Sequence, residues 1–250
     1  MKAMIFAAGL GTRLRPLTDT MPKALVPVLG KPLLLWQIEK LQQAGITDII
    51  INIHHLGEQI RQYLQANNNF GCNILLSDES DRLLETGGGL KKAARMIGTD
   101  EPLLALNVDV LSNINIRSLI NNHYPDALAT LVVSPRQTQR YLLFDKQNRL
   151  KGWTNISTGE YKPREVQEAL SKETEKGELT KLAFSGMHII SPALFQMMEK
   201  EPDVFPIMDL YLSLCQRLPI RAYIPVDYRM MDIGKIGEMD KAEEFAKTLI

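Results

Sequence analysis

The chain has 250 residues, of which 45% are hydrophobic and 23% are charged, a balance that suits one large α/β domain or two small ones. Its 29 basic residues equal its 29 acidic residues, so no overall field draws it to nucleic acid or to a membrane surface. An anionic ligand must therefore be bound by a local cluster of positive charge.

The N-terminus and the cysteines favour a cytoplasmic location. Met1-Lys2 leads directly into a short apolar strand, without the longer apolar core and cleavage site of a signal peptide. No apolar run approaches membrane-spanning length. Cys72 and Cys215 are far apart and lack metal-type spacing, so we expect two reduced, buried thiols.

Strand and helix patterns alternate through the first half of the chain. The predicted elements are a strand at 3–8, a helix from about 32 to Gly45, a strand at 48–53, a helix at about 56–66, a strand at 73–76, a helix after the glycines at 87–89 and a strand at 103–107. The nearly continuous β-branched run at 48–53 is typical of a buried parallel strand. The alternation predicts a sheet covered by helices on both faces, with ligands at the carboxyl ends of its strands.

The pattern changes near Asp126 to that of a smaller mixed or antiparallel section. The predicted strands are 127–134, 141–145, 150–153, 183–190 and 220–225, and the predicted helices are 192–200, 206–215 and a closing helix after Ile236. The polar stretch at 157–181 predicts a surface excursion with a short helix from Pro163, or a mobile flap over the site.

The segment after the first strand concentrates glycine and positive charge. Its sequence is Ala7-Ala8-Gly9-Leu10-Gly11-Thr12-Arg13-Leu14-Arg15-Pro16-Leu17-Thr18, and Pro22-Lys23 follows. Glycine and threonine let backbone N–H groups crowd together at the end of the strand, where they can bind an anion. Because Arg13, Arg15 and Lys23 add three cations, the pattern favours a polyphosphate over a single carboxylate. The alternative is an ordinary turn with solvated basic residues.

Spacing disfavours two other glycine-loop chemistries. The dinucleotide fingerprint needs a third glycine where this chain has Leu14. A Walker A loop needs Ser or Thr after its lysine, but Pro32 follows Lys31 and Ile236 follows Lys235.

The glycine-rich segment, with Pro22-Lys23, resembles the signature of the sugar-1-phosphate nucleotidyltransferases, which join a nucleoside triphosphate to a sugar phosphate and release pyrophosphate. The resemblance implies a Rossmann-like α/β fold of the glycosyltransferase-A type, with a mostly parallel central sheet flanked by helices. It also implies one catalytic domain over 1–250, with a nucleotide-binding part at about 1–125, a sugar-binding part at about 126–235 and the closing helix at 236–250.

The same resemblance implies roles for individual residues of the loop. The segment that wraps the triphosphate would be Ala8, Gly9, Gly11, Thr12 and Arg13. The catalytic residues would be Arg13, which neutralises the departing pyrophosphate, and Lys23, which contacts the α-phosphate and the incoming sugar phosphate.

Three later segments resemble further landmarks of this family. Glu85-Thr86-Gly87-Gly88-Gly89 is similar to its base-binding loop, in which Glu85, Gly87 and Gly88 would contact the nucleotide and main-chain groups would read the base. Asn107-Val108-Asp109 and Asp232-Ile233-Gly234 are similar to its two metal-binding turns, so Asp109 and Asp232 would bind Mg²⁺, a hard cation that prefers carboxylates and phosphate oxygens. Phe184-Ser185-Gly186-Met187-His188 is similar to its sugar-binding strand.

The sugar pocket implied by the resemblance includes Gly186 and Asn107. The family's Glu-Lys-Pro element is not evident at Gly152-Trp153-Thr154-Asn155. Leu84-Glu85-Thr86-Gly87-Gly88-Gly89 and the short length look most like the N-acetylmuramate-1-phosphate uridylyltransferases of cell-wall sugar recycling. The alternatives are GTP with mannose or heptose 1-phosphate, dTTP or UTP with glucose 1-phosphate, and a regulator that binds nucleotide sugars without turnover. The partners expected are thus a nucleoside triphosphate and a sugar 1-phosphate, and no sequence feature indicates the oligomeric state.

Overall fold

The computed structural model describes residues 1–250 and shows an α/β fold built on a ten-stranded sheet. The strands are β1 (Lys2–Phe6), β2 (Pro27–Val28), β3 (Lys31–Pro32), β4 (Asp48–Ile53), β5 (Asn73–Asp78), β6 (Leu103–Asn107), β7 (Val110–Ser112), β8 (Ala129–Ser134), β9 (Arg140–Phe144), β10 (Leu150–Asn155), β11 (Glu160–Lys162), β12 (Thr180–Ile190), β13 (Ile220–Tyr223) and β14 (Met230–Asp232). The helices are α1 (Leu17–Thr20), α2 (Leu33–Gln43), α3 (Gly57–Ala66), α4 (Glu85–Ile97), α5 (Ile116–Asn121), α6 (Gln167–Glu175), α7 (Pro192–Met198), α8 (Ile207–Leu214) and α9 (Met239–Lys247).

The central strands β5, β4, β1 and β6 lie side by side and run parallel. Strands β1, β4 and β6 are mostly apolar on both faces because helices cover both sides, which is why β4 after Asp48 is a run of isoleucines interrupted only by Asn52. The parallel arrangement brings the carboxyl ends of β1, β4 and β6 to one edge of the sheet. The predicted α/β fold with a mostly parallel central sheet flanked by helices is thereby confirmed.

Strand β12 joins this parallel part to the antiparallel part. It pairs antiparallel with β6, β8 and β9, and β10 and β11 extend the sheet beyond β9. A bulge interrupts its pairing with β8 between Phe184 and His188, where Gly186 has a φ of +70°. Both parts of the chain therefore share one continuous sheet.

Alternate residues of each central strand enter different hydrophobic cores. Ala3 and Ile5 belong to a cluster of 32 buried residues under α2, α3 and α9, whereas Met4 belongs to a cluster of 27 under α4, α7 and α8. This alternation follows from the two-residue period of a strand. None of the helices combines the length and the apolar character that crossing a membrane requires.

Several boundaries differ from those that the sequence predicts. Strand β1 ends at Phe6, so Ala7 and Ala8 already belong to the following loop. Helix α4 begins at Glu85 and contains the three glycines, instead of following them. About half of the polar stretch at 157–181 folds into β11 and α6, and Leu170 of α6 packs against Leu143 and Leu179.

The sequence also gave no indication of the pairing of two three-residue strands. Strand β7 follows Asp109, and β14 ends at Asp232; they pair antiparallel as a separate two-stranded sheet. Strands this short lack a recognisable alternation, so only the long-range contacts of the folded chain define them. Their pairing determines the geometry of the site described next.

Candidate active site

A cavity of ≈ 220 Å³ opens where the central parallel strands end. The residues that line it come from the ends of β1, β4 and β6 and from the start of α4: Phe6, Ala7, Ala8, Gly9, Lys23, Asn52, Leu83, Glu85, Thr86, Asn107, Val108 and Asp109. This is the edge at which an open α/β sheet presents its ligand site. Six of the predicted site residues lie at the cavity surface: Ala8, Gly9, Lys23, Glu85, Asn107 and Asp109.

The glycine-rich loop is folded back on itself. Gly11 has a φ of +64°, and the hydroxyl of Thr18 donates a hydrogen bond of 2.8 Å to its carbonyl oxygen. A Cβ on Gly11 would lie 2.9 Å from Cγ2 of Thr18 and 3.1 Å from Cβ of Lys23, so only glycine fits. Gly9 is different, because nothing lies within 4 Å of the position of its missing Cβ. Gly11 shapes the loop, whereas Gly9 leaves open space beside the cavity.

Strands β7 and β14 bring the two predicted metal ligands together. Asp232 is opposite Val110 in the strand pairing, and the N–H of Ile233 donates a hydrogen bond of 2.8 Å to the carbonyl oxygen of Asp109. The two carboxylates therefore belong to neighbouring residues of one small sheet, although the sequence separates them widely. No group of three or more His, Cys, Asp or Glu side chains forms a metal site.

Positive charge surrounds this pair of carboxylates. Lys23 forms an ion pair with Asp109, and both side chains are largely buried. The guanidinium of Arg13 lies against Gly234, because a Cβ on that glycine would be 3.2 Å from Nη2 of Arg13. The glycine-rich loop therefore lies next to the two turns that contain Asp109 and Asp232, as the resemblance implies.

The pKa of Asp232 reflects its surroundings. Burial raises the pKa of this carboxyl above its usual value, and the negative charge of Asp109 adds to the increase, against the opposing effects of Arg136, Lys23 and Arg13. Two carboxylates that repel each other are a suitable donor set for a divalent cation. They fit Mg²⁺, which takes a few carboxylate ligands and completes its octahedron with phosphate oxygens and water.

Arg136 is a basic residue of this centre that sequence reasoning missed. Its Nη2 lies 3.9 Å from Oδ2 of Asp232 and donates a hydrogen bond of 3.1 Å to the carbonyl oxygen of Phe184. Lys23 and Arg136 are the two basic side chains within 4 Å of either aspartate carboxylate. No motif marks Arg136, because the loop after β8 reaches the site only through the fold.

The start of α4 packs its glycines against the segment that precedes α8. The N–H groups of Gly87 and Gly88 both donate to the carbonyl oxygen of Phe205, at 2.8 and 3.2 Å, so each of them already has a hydrogen-bond partner. A Cβ on Gly87 would lie 2.3 Å from the Phe205 ring, and one on Gly88 would lie 2.0 Å from the carbonyl oxygen of Asp203. These two glycines are buried packing residues, and neither lines the cavity.

Glu85 and Thr86 are the residues of this segment that face the cavity. Glu85 is exposed and has a φ of +61°, an uncommon conformation for a residue with a side chain. The hydroxyl of Thr86 accepts a hydrogen bond of 3.0 Å from the N–H of Ile207, which fixes the first turn of α4 against α8. Of the three residues of this segment that were expected to contact the nucleotide, Glu85 borders the cavity, whereas Gly87 and Gly88 do not.

A buried chain of hydrogen bonds links the glycine-rich loop to the residue that precedes α4. Sequence reasoning also missed this chain. Asn52 accepts from the N–H of Ala7 at 2.8 Å and donates to Oε1 of Glu79 at 2.9 Å. Oε2 of Glu79 then accepts from the N–H of Leu84 at 3.1 Å, and the Glu79 side chain is fully buried. The interruption of the isoleucine run by Asn52 is the sequence signal that could have revealed this chain.

Gly186 and Asn107, the two residues of the predicted sugar pocket, lie next to each other. Gly186 packs on Asn107, since a Cβ there would lie 2.7 Å from Nδ2 of that residue. His188 is buried two residues further along β12, where Nδ1 lies 2.8 Å from the hydroxyl of Tyr211. Burial lowers the pKa of His188 to about 3, so this side chain is a neutral structural group.

Comparison with known protein families identifies the class to which this site belongs. The family model described as nucleotidyl transferase matches residues 2–144. The chain therefore belongs to the nucleotidyl transferase family. The matched residues contain the glycine-rich loop, the start of α4 and Asp109.

Similar curated proteins carry three kinds of name. A UTP–glucose-1-phosphate uridylyltransferase of Synechocystis is 31% identical over 95% of this chain and 61% of its own length. An N-acetylmuramate α-1-phosphate uridylyltransferase of Neisseria meningitidis is 50% identical over 46% of this chain and 49% of its own length. One of Caulobacter vibrioides is 32% identical over 77% of this chain and 76% of its own length. A mannose-1-phosphate guanyltransferase of Hypocrea jecorina is 31% identical over 83% of this chain and 56% of its own length. The chain thus spans only about half the length of the Neisseria and the Hypocrea proteins.

Solved structures share the whole fold at low sequence identity. A UDP-glucose pyrophosphorylase complexed with UDP-glucose superposes with a TM-score of 0.75 at 20% identity, over 99% of both chains. HddC from Yersinia pseudotuberculosis complexed with GMP-PN has a TM-score of 0.75 at 21% identity, over 98% of this chain and 99% of that one. At these identities the similarity establishes the fold alone.

Proposed function

We propose that this chain transfers a nucleoside monophosphate from a nucleoside triphosphate to a sugar 1-phosphate, giving a nucleoside diphosphate sugar and pyrophosphate, with Mg²⁺ bound. The observation that carries the proposal is the meeting of Asp109 and Asp232 beside Lys23 and Arg13 at the end of the glycine-rich loop. Residues from opposite ends of the chain form this centre, and their charges suit a triphosphate that loses pyrophosphate.

The chemistry assigns a role to each of these groups. An oxygen of the sugar phosphate attacks the α-phosphorus while the bond from that phosphorus to the pyrophosphate oxygen breaks. Lys23 neutralises charge at the α-phosphate, and Arg13 neutralises charge that develops on the departing pyrophosphate. Mg²⁺, held by Asp109 and Asp232, would supply Lewis-acid stabilisation of the phosphate oxygens.

This reaction needs no protein base. The second pKa of a phosphate monoester is about 6, so the attacking phosphate is already mostly dianionic at neutral pH. Alignment and charge neutralisation are therefore the main demands on the protein. This agrees with a site in which His188, the histidine nearest the predicted sugar pocket, is buried and neutral.

For the substrates we propose UTP and N-acetylmuramate 1-phosphate. The support is the identity of 50% to the Neisseria uridylyltransferase over 46% of this chain, together with the Caulobacter relative of the same name. GTP with mannose 1-phosphate is the second candidate, which the Hypocrea guanyltransferase favours. A role in cell-wall sugar metabolism and a cytoplasmic location stay predictions.

Pyrophosphate release tests the reaction. UTP, GTP and dTTP are each combined with N-acetylmuramate, glucose, mannose and heptose 1-phosphates, with MgCl₂ or with EDTA. We expect release with UTP and N-acetylmuramate 1-phosphate, and its loss with EDTA. If no pair releases pyrophosphate, the enzyme proposal fails and a regulator that only binds nucleotide sugars becomes the better explanation.

A pair of aspartate variants tests the metal assignment. Asp109→Asn removes a proposed Mg²⁺ ligand, whereas Asp240→Asn changes an exposed residue of α9. We expect turnover to fall by about a hundredfold or more in the first variant and to stay at the wild-type value in the second. Near-normal turnover of Asp109→Asn, with an unchanged Mg²⁺ requirement, would contradict the assignment.

A further inference from the structure

Arg136 is the basic side chain at this centre for which the proposed reaction has so far given no role. It follows β8 and reaches the metal-ligand pair from the antiparallel part of the sheet, whereas Arg13 and Lys23 belong to the nucleotide-binding loop. Its ion pair with Asp232 is long, at 3.9 Å, and both side chains are more than a third exposed. Such a pair contributes little to stability, so holding Asp232 does not by itself account for an arginine here.

One hydrogen bond orients the guanidinium of Arg136, but not all of its N–H donors have an acceptor. Nη2 donates to the carbonyl oxygen of Phe184, which lies two residues before Gly186 of the predicted sugar pocket. The buried Nε has no hydrogen-bond partner. The guanidinium, which is partly exposed as a whole, therefore keeps N–H donors that can bind an anionic ligand.

The charges of the proposed reaction indicate which anion this is. Two phosphoryl groups must approach each other, and the attacking one enters from the sugar side. Arg13 and Lys23 neutralise the nucleotide side, and Arg136 is the remaining cation within 4 Å of the carboxylate pair. An arginine can bind a phosphate group through two parallel N–H donors.

We propose that Arg136 binds the phosphate of the sugar 1-phosphate and aligns it for attack on the α-phosphorus. This inference rests on the proposed function. It adds a substrate-binding residue from the loop between β8 and β9, with Phe184 as the group that positions its guanidinium.

Three variants test this role. Arg136→Met removes the charge and keeps most of the side-chain length, and Arg136→Lys keeps the charge without the planar fork. The control is Arg95→Met on α4, which also breaks one exposed arginine–carboxylate pair, with Glu199, ten residues along the helix from Glu85. Thermal unfolding of each variant checks that it is folded.

Steady-state kinetics separates substrate binding from a structural role. In Arg136→Met we expect the KM for the sugar 1-phosphate to rise by about ten- to a hundredfold, with the KM for the triphosphate within about twofold of wild type. Arg136→Lys should recover part of the loss, and Arg95→Met should match wild type. An unchanged KM for the sugar 1-phosphate in Arg136→Met, or a change confined to the Mg²⁺ activation constant, would overturn the inference.

Calorimetric titration keeps this inference separate from the enzyme proposal. N-acetylmuramate 1-phosphate and glucose 1-phosphate are titrated into wild type and Arg136→Met in the presence of Mg²⁺ and a non-hydrolysable triphosphate. If wild type binds a sugar 1-phosphate and Arg136→Met does not, the result supports the proposed role of Arg136 even when turnover is absent. Equal binding by the two proteins overturns the role of Arg136 alone, and no binding by wild type overturns it together with the proposed substrates.

Discussion

Gly88 and Gly9 are predicted to respond in opposite ways to the same substitution. In Gly88→Ala, the new Cβ would lie 2.0 Å from the carbonyl oxygen of Asp203 and 3.1 Å from Cβ of Leu84. Asp203 cannot move freely, because the nearby Phe205 is buried and its carbonyl oxygen accepts the N–H groups at the start of α4. The substitution must therefore displace either α4 or the loop that contains Asp203.

The cost can be worked from these contacts. Overpacking costs about 1–3 kcal/mol, and loss of the Gly88–Phe205 hydrogen bond costs about 0.5–1.5 kcal/mol. The better helix propensity of alanine returns about 1 kcal/mol. We expect Gly88→Ala to lower the free energy of unfolding by roughly 0.5–3.5 kcal/mol.

Gly9→Ala is the matched control. Its Cβ would meet nothing within 4 Å, so we expect the free energy of unfolding to change by less than about 0.5 kcal/mol. The methyl group would instead occupy space beside the cavity and raise the KM for the triphosphate.

Urea unfolding followed by circular dichroism, combined with steady-state kinetics, distinguishes the two glycines. A Gly88→Ala protein as stable as wild type would refute the packing argument. A Gly9→Ala protein with unchanged triphosphate KM would refute the placement of the triphosphate.

Three further predictions concern buried groups. Glu79→Ala leaves the amide of Asn52 and the N–H of Leu84 without an acceptor, so urea unfolding should show a loss of roughly 3–5 kcal/mol. The pKa of His188 is lowered to about 3, below its unfolded value, so its stabilising contribution is complete above pH 6.5 and is lost as the pH falls towards 3. Replacing His188 by Asn should therefore flatten the pH dependence of stability, which otherwise falls by about 2 kcal/mol between pH 6.5 and 5 through this group; an unchanged slope would contradict its neutral state. Burial raises the pKa of Cys215 to about 11, so this thiol should resist iodoacetamide at pH 8 in the native protein and react after unfolding, as mass spectrometry of the labelled peptide would show.

Local sequence determined most of the regular structure. Strand β4 occupies the predicted residues 48–53, and α2 ends before Gly45 as expected. These elements are predictable because an apolar run or a helical repeat, together with its stop signal, is contained in a few neighbouring residues. The glycine-rich loop was predictable for the same reason, and it lies at the edge of the sheet where anion binding was expected.

The tertiary structure alone decided how the site is assembled. The pairing of β7 with β14 sets Asp109 beside Asp232, and the loop after β8 brings in Arg136. The packing of Phe205 determines that Gly87 and Gly88 donate their N–H groups to its carbonyl oxygen at the start of α4. Each of these contacts joins residues about a hundred positions apart, and such contacts leave no periodic pattern in the chain because their free energy arises only when the two segments pack together.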